Sequence, residues 1–459
     1  METERKSVMD AAREAKSAAL RLASLPLETR NRALLAMAEA VEAKRELILE
    51  ENRKDISAAE ALVASGKITA AAAKRLGLQG DKFDSLAEGL RSVASLPDPI
   101  GRVLMATELD EGLHLRRVSC PIGVIAVIFE SRPDALPQIA SLCLKSGNAV
   151  LMKGGSEALG TNRVLARILD EAARAVGVPA GWLAFLETRG EIAEILKLDE
   201  YIDLVIPRGS NEFVRYIMDN TKIPVTGHRD GICHTYVHEK ADAAKAVRIV
   251  VDAKTQYPAV CNATECLLID EAVADGLLPA LARGLAEKKV ELRLDPRGLD
   301  ILESRLGGLP AAEAELMRGL LKAARPEDYD TEHLDLVLSV RVVAGLDEAI
   351  EHINRHGSRH TDAIVTEDAA AADTFLAGVD SSSVLCNCST RFADGFRYGL
   401  GAEVGISTEK IHSRGPVGLD GLTIYKYILR GEGQVVADYS GPDGRRFTHK
   451  PLPLDEKGA

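Results

Sequence analysis

Val124-Ile-Ala-Val-Ile-Phe129 is a continuous apolar run, the pattern needed by a strand that is buried on both faces and covered by helices. The run recurs with variations. Ala149-Val-Leu-Met152, Leu183-Ala-Phe-Leu186, Ile202-Asp-Leu-Val-Ile206 and Ile223-Pro-Val-Thr226 read as further short strands, and helical segments lie between them at 136–145, 162–175, 191–198 and 211–220. This alternation predicts an α/β fold with a doubly wound parallel sheet, whose ligands bind beyond the carboxyl ends of the strands.

Two of those strand ends carry suitable chemistry. Met152-Lys153-Gly154-Gly155-Ser156 sets a cation beside a glycine pair, and Pro207-Arg208-Gly209-Ser210 opens a helix whose first amides could face a phosphate. Neither is a GxGxxG fingerprint. Each alone reads equally as a connecting loop with a surface charge, whereas together on one sheet edge they make a dinucleotide site.

Residues 1 to about 98 read as a packed helical layer. Leu34, Ala38, Val41 and Ile48 recur at helical spacing along one long segment, with Ser24 and Pro26 as its start signal. Leu113-His-Leu-Arg-Arg-Val118, after the turn-like Asp110-Glu111-Gly112, predicts a hairpin that either faces solvent or pairs with another subunit. Beyond Gly231 a second α/β unit begins with the strand candidate Cys233-His-Thr-Tyr-Val237. A helix over 242–254 follows, ending at the breaker pair Tyr257-Pro258, and a strand at Cys266-Leu-Leu-Ile269. Cys261 falls on the turn between them, either as a packed thiol or as a nucleophile whose thiolate is the attacking species. Seven glycines between 395 and 421 predict a loop that wraps a site.

The length of 459 residues suits two or three domains able to enclose a cleft. A net charge of -12 and an aromatic content of 4% argue against nucleic-acid and anionic-membrane binding, though not against a small phosphorylated substrate in a local cationic pocket. The seven cysteines are irregularly spaced, which argues against a secreted disulfide framework. Cys386-Asn-Cys388 is too tight for the usual zinc knuckle and reads as alternating faces of a strand, so no metal site is expected. The N-terminus lacks a signal-like pattern and no apolar run approaches roughly 18 residues, so the protein is expected in the cytoplasm, away from membranes.

The stretches 121–134 (Pro-Ile-Gly-Val-Ile-Ala-Val-Ile-Phe-Glu-Ser-Arg-Pro-Asp), 257–265 (Tyr-Pro-Ala-Val-Cys-Asn-Ala-Thr-Glu), 352–364 and 401–408 (Gly-Ala-Glu-Val-Gly-Ile-Ser-Thr) together resemble the aldehyde dehydrogenase superfamily over essentially the whole chain. The resemblance implies an NADP(H)-binding domain of Rossmann type at 1–104 and 121–233, an α/β catalytic domain at 234–420, and a small β oligomerisation arm at 105–120 and 421–459. It implies Cys261 as nucleophile with Asn262 beside it in the catalytic set, Lys153 on the adenosine ribose or its 2'-phosphate, Gly209 and Ser210 near the pyrophosphate, and Glu332 on the nicotinamide ribose. Relatives that prefer NAD often carry an acidic residue three positions after the lysine. Ser156 stands there, which favours NADPH/NADP.

Two departures from hydrolytic relatives bear on the reaction. His228, within Val-Thr-Gly-His-Arg-Asp-Gly, lies in the region where those enzymes hold the glutamate that activates water, so inorganic phosphate is the implied acyl partner. Arg132 stands at about the place of their oxyanion-holding asparagine. It could hold a phosphoryl group through two hydrogen bonds or serve a structural salt bridge, and a shift of one residue would pass the role to Ser131. The histidines from His356 to His360 read either as a loop packed on the cofactor domain or as a phosphate contact.

The reaction implied is reduction of the acyl phosphate L-glutamate 5-phosphate by NADPH through a cysteine thioester, as the second step of proline biosynthesis. The implied partners are a second copy of the chain in a homo-oligomer and, transiently, the glutamate kinase that makes the substrate. A thioester-forming relative acting on another acyl donor such as a CoA ester, or a non-catalytic binding protein on the same scaffold, are the alternatives.

Overall fold

The computed structural model describes residues 7–454 except 67, 69, 130, 131, 189 and 229. The chain divides into two compact units. The first comprises the residues up to Thr226 together with Leu400–Gly405 and the chain from Val417 onward; the second comprises Gly227–Gly399 and Ile406–Pro416. The division falls before Cys233 because Gly227 and His228 are tied to their own unit: Thr408 N–H donates to the Gly227 carbonyl and His228 Nδ1–H to that of Ile406. Among the described residues no helix is long and apolar enough to cross a membrane.

In the first unit, β1 (Val103–Asp110) and β2 (Leu113–Pro121) form the expected hairpin, turning at Gly112 with φ +69°. The strand Thr423–Arg430 pairs antiparallel with β2, and Lys450–Pro451 with β1, to complete a four-stranded sheet. A separate sheet contains β3 (Val124–Phe129), β4 (Ala149–Lys153), β5 (Leu183–Leu186) and β6 (Leu204–Arg208), all parallel, in the order β5-β4-β3-β6. The chain winds outward from β3 to β5 and then crosses to the other side of β3 at β6, so the winding reverses at β3, the position where α/β sheets receive ligands.

All six residues of β3 are buried; full burial of each Val, Ile or Phe contributes about 1.5–3 kcal/mol. The helices Val8–Leu22, Leu27–Ala43, Ala135–Lys145 and Leu159–Ala175 supply much of the surrounding core. Asp203 fixes the start of β3: its carboxylate accepts from Val124 N–H at 2.8 Å and pairs with Lys16 at 2.6 Å. Ile223–Thr226 makes a single bridge, Val225 on Val205, and not a strand, since Pro224 has no N–H to extend a ladder. The long segment through Ile48 is two helices, Leu27–Ala43 and Arg45–Ala64, because Lys44 leaves helical geometry at φ -103° and ψ 19°.

The second unit is built on a parallel sheet of β7 (Cys233–Val237), β8 (Thr264–Asp270), β9 (Glu291–Leu294), β10 (Leu321–Ala323), β11 (Val337–Val343), β12 (Thr361–Val365) and β13 (Ser383–Cys386), in the order β10-β9-β11-β8-β7-β12-β13. The helix Ala243–Thr255 starts at Asp242, whose side chain accepts from Lys245 N–H, and leads into the Cys261 turn. Strand β13 stops at Cys386: Asn387 turns left-handed at φ +56° and bonds the backbone of Thr366 in both directions. Cys388 therefore lies off the strand and does not alternate with Cys386 along it.

Candidate active site

Cys261 is the centre of the second unit's chemistry. It is partly exposed, on the turn between the helix Ala243–Thr255 and β8, and two histidines from distant parts of the chain face it. One ring nitrogen of His228, one of His360 and the Cys261 sulfur all lie within 4.8 Å of one another, and the two rings meet edge to face with centroids 5.0 Å apart. Burial pushes the Cys261 thiol up, but His360 and His228 more than reverse this and hold it well below the ordinary thiol range. Burial works against the charged form of His228, yet the Cys261 sulfur, the Ile406 carbonyl and Glu332 outweigh it and raise that histidine to about 9. The sulfur is thus held as a thiolate opposite an imidazolium, the form that attacks a carbonyl carbon.

Local hydrogen bonds explain why both histidines point inward. His228 Nδ1–H donates to the Ile406 carbonyl at 3.0 Å, which directs the other ring nitrogen elsewhere. The loop carrying His360 is fastened to the strand edge at Ile232, whose N–H donates to Ser358 Oγ at 2.8 Å, and His360 Nδ1 lies 2.8 Å from Thr361 Oγ1. Neither reading of the His356 to His360 stretch anticipated this place for His360.

Glu332 is brought to the same place. A Cβ built on Gly231 would lie 2.5 Å from Glu332 Oε1 and 2.5 Å from Cys261 Cα, so the carboxylate and the Cys261 backbone both press on that glycine. The loop around Glu332 is anchored by a buried pair, Lys254 Nζ to Glu265 Oε2 at 2.6 Å, while Glu265 Oε1 accepts from Leu334 N–H at 3.1 Å. Burial pushes Glu265 up to about 7 despite Lys254. Gly231→Ala is expected to cut turnover by at least about tenfold while leaving the melting temperature of the first unit's core unchanged, because a displacement of about 1 Å at reacting groups is costly. Steady-state kinetics and thermal denaturation of the variant check this.

Asn262 is buried, with Nδ2 donating to the Ala393 carbonyl at 2.8 Å. Its side chain therefore holds the turn, and its contribution to an oxyanion would come from the main chain. Cys233, behind the turn, donates its thiol to the Cys261 carbonyl at 3.1 Å; burial leads the causes that keep it well above the usual thiol range.

The remaining expected residues lie in the first unit. Lys153, at the carboxyl end of β4, is buried and donates to the Gly154 carbonyl. Gly154 and Gly155 are closely packed: a Cβ on the former would meet Asn162 and Phe129, and on the latter Glu157. Gly209 and Ser210 are exposed at the end of β6, where Ser210 is the N-cap of the helix Asn211–Asp219. A buried lysine, a tight glycine turn and a helix N-terminus on the carboxyl ends of one parallel sheet fit a dinucleotide. Arg132 is exposed, 3.3 Å from Asp134, a contact worth at most about 1 kcal/mol that does not tie the guanidinium down. Ser131 lies outside the described residues.

The fold and the activated cysteine together are those of an aldehyde-oxidising or acyl-reducing dehydrogenase. The model of the aldehyde dehydrogenase family matches residues 1–300, and the chain belongs to that family of oxidoreductases, which use a nicotinamide cofactor. It is 54% identical to gamma-glutamyl phosphate reductase of Pelotomaculum thermopropionicum, with 97% of each chain covered, and 49% identical to the probable gamma-glutamyl phosphate reductase of Schizosaccharomyces pombe, with 98% of each covered. The crystal structure of gamma-glutamyl phosphate reductase from Thermotoga maritima superposes with a TM-score of 0.87 at 35% identity, covering 94% of this chain and 100% of that one. At such identities over nearly the full length, the chain belongs with the gamma-glutamyl phosphate reductases.

Proposed function

We propose that the chain reduces L-glutamate 5-phosphate to L-glutamate 5-semialdehyde and phosphate with NADPH, through a thioester on Cys261. The single observation that carries the mechanism is the placement of the Cys261 sulfur against His228 and His360. The thiolate adds to the acyl phosphate carbonyl, the carbon–oxygen bond to the phosphoryl group breaks, and inorganic phosphate leaves. Bound NADPH supplies a hydride. Once the thioester carbonyl has accepted it, the carbon–sulfur bond breaks, the aldehyde forms and the thiolate returns to the two imidazoles.

Lowering the thiol pKa therefore serves both halves of the reaction: it supplies the nucleophile and later stabilises the same sulfur as a leaving group. Main-chain N–H groups beside Cys261 and Asn262 would hold the developing oxyanion, with Arg132 on the phosphoryl group. Lys153, Gly209 and Ser210 would hold the adenosine and pyrophosphate parts of the cofactor, and Glu332 the nicotinamide ribose. With Ser156 and no acidic residue in its place, nothing at that position repels a 2'-phosphate, which favours NADPH over NADH. His228 stands in the region where hydrolytic relatives hold the water-activating glutamate, so the carboxylate base for water is missing there, which favours phosphate as the acyl partner.

The semialdehyde cyclises to pyrroline 5-carboxylate, which places the step in proline biosynthesis. The seven thiols are all unpaired, in keeping with a reducing cytoplasm. The antiparallel sheet of β1, β2, Thr423–Arg430 and Lys450–Pro451 would serve as the arm of a homo-oligomer, and a glutamate kinase would deliver the acyl phosphate in a transient complex.

The test is formation of reduced cofactor when purified protein meets glutamate 5-semialdehyde and NADP with and without inorganic phosphate. A signal that requires phosphate is the expected result. A signal independent of phosphate would mean that water or a different acceptor releases the thioester, and no signal would mean a different substrate.

A further inference from the structure

A second histidine–cysteine–histidine group lies in the same unit, on other side chains that stand five to eight residues from those of the first. The register of β7 and β8 sets His234 directly beside Cys266. His352, from the helix Leu346–His356 that packs on this face of the sheet, completes the group. His234, Cys266 and His352 are 0%, 1% and 5% exposed. One nitrogen from each ring and the Cys266 sulfur lie within 4.8 Å of one another, with Cys266 Sγ 3.9 Å from His352 Nε2.

Burying three such groups in an otherwise apolar layer of Tyr236, Leu268, Ile353 and Phe375 is costly unless they have partners. His234 is the informative one. Its Nδ1 is 3.0 Å from Asp362 Oδ1, a carboxylate that is itself fully buried and also takes the His234 N–H and the Ser381 hydroxyl. Its other ring nitrogen, Nε2, is buried, turned toward the Cys266 sulfur and outside ordinary hydrogen-bond geometry. A histidine braced by a carboxylate on one nitrogen while the other faces a thiol is the outer-sphere arrangement of a metal ligand.

We propose that His234 Nε2, Cys266 Sγ and His352 Nε2 bind one zinc ion through three protein ligands, with water in the fourth tetrahedral position, separate from the reaction. Zinc–sulfur and zinc–nitrogen bonds of about 2.3 and 2.0 Å place such atoms roughly 3.3–3.6 Å apart, so the Cys266 and His352 atoms, 3.9 Å apart, need to move only a few tenths of an ångström, and the group as a whole contracts from within 4.8 Å to close on the ion. Binding converts the Cys266 thiol to thiolate and releases its proton to solvent. The divalent charge is then balanced by the thiolate and the Asp362 carboxylate, which suits a buried site. His356, with its ring centroid 4.5 Å from that of His352 and its side chain 18% exposed, marks the side nearest solvent.

The test uses the full-length Cys261→Ala protein, which lacks the other histidine–cysteine–histidine group. After removal of metal with a chelator, it is titrated with cobalt(II) and then with zinc(II). The expected result is one equivalent of cobalt with a thiolate-to-cobalt charge-transfer band, displaced by zinc, and absent when Cys266→Ser is added. Asp362→Asn should weaken zinc binding by about 10–100-fold. If Cys266→Ser fails to fold by circular dichroism, His352→Gln decides by the same titration. No thiolate band in the Cys261→Ala protein, or a band that survives both Cys266→Ser and His352→Gln, would overturn the proposal.

Discussion

Cys261→Ala is expected to bind NADPH as the unaltered chain does and to form no semialdehyde, with turnover reduced by about 10³-fold or more. The loss should be this large because the thioester cannot form on alanine, and the buried thiol of Cys233 behind the turn cannot take its place. Cys233 donates to the Cys261 carbonyl and is held well above the ordinary thiol range, so it presents neither the right atom position nor the thiolate. The side chain of Cys261 is partly exposed, so removing its sulfur leaves a small defect and the fold should persist. The check combines fluorescence titration with NADPH and rapid-quench measurement of covalent acyl enzyme. Normal cofactor binding without acyl enzyme is the expected pair of results; acyl enzyme on the variant would remove Cys261 from the mechanism.

The second large effect concerns pH. A thiol whose pKa is lowered is charged above that lowered value, so Cys261 should stay reactive toward iodoacetamide well below about pH 8.5, where an ordinary cysteine loses its thiolate. His228, raised to about 9, is charged below that pH and loses its proton above it. The thiolate–imidazolium pair therefore exists between the lowered Cys261 value and about pH 9. His228→Gln removes one of the two facing histidines and should move the alkylation profile upward by about 1–3 pH units, or about ten- to a thousandfold in rate at the acid end. An unchanged profile would mean that His360 alone sustains the thiolate. The same variant should narrow the pH range of turnover from its acid side.

Much of this molecule is legible one segment at a time. The apolar run 124–129 becomes the fully buried β3, and the turn residues between 110 and 112 become the hairpin turn. Cys261 stands on the turn its flanking signals define. These succeed because they depend on neighbours in sequence: hydrophobic period, breakers and caps act within a few residues. The break at Lys44 shows the limit, since the apolar spacing runs on through two helices and carries no mark of the interruption.

The active-site chemistry was only half legible for the same reason. Cys261 and the strand ends with Lys153, Gly209 and Ser210 stand in stretches that can be quoted, whereas Glu332 is implied by the family resemblance alone. His228 and His360 stood in quoted stretches as well, but 33 residues before and 99 after Cys261 they gave no sign of facing it. Neither did the Lys254–Glu265 brace nor Gly231 caught between Glu332 and the Cys261 backbone. What the amino-acid order determined by itself was the buried strand at 124–129, the hairpin turn at 110–112, the acidic net charge and the place of Cys261 on a turn. The tertiary structure alone decided which side chains lower the thiol's pKa, because a pKa is set by charges and burial within a few ångströms, and those come from β-strand edges and loops that only the folded sheet brings together.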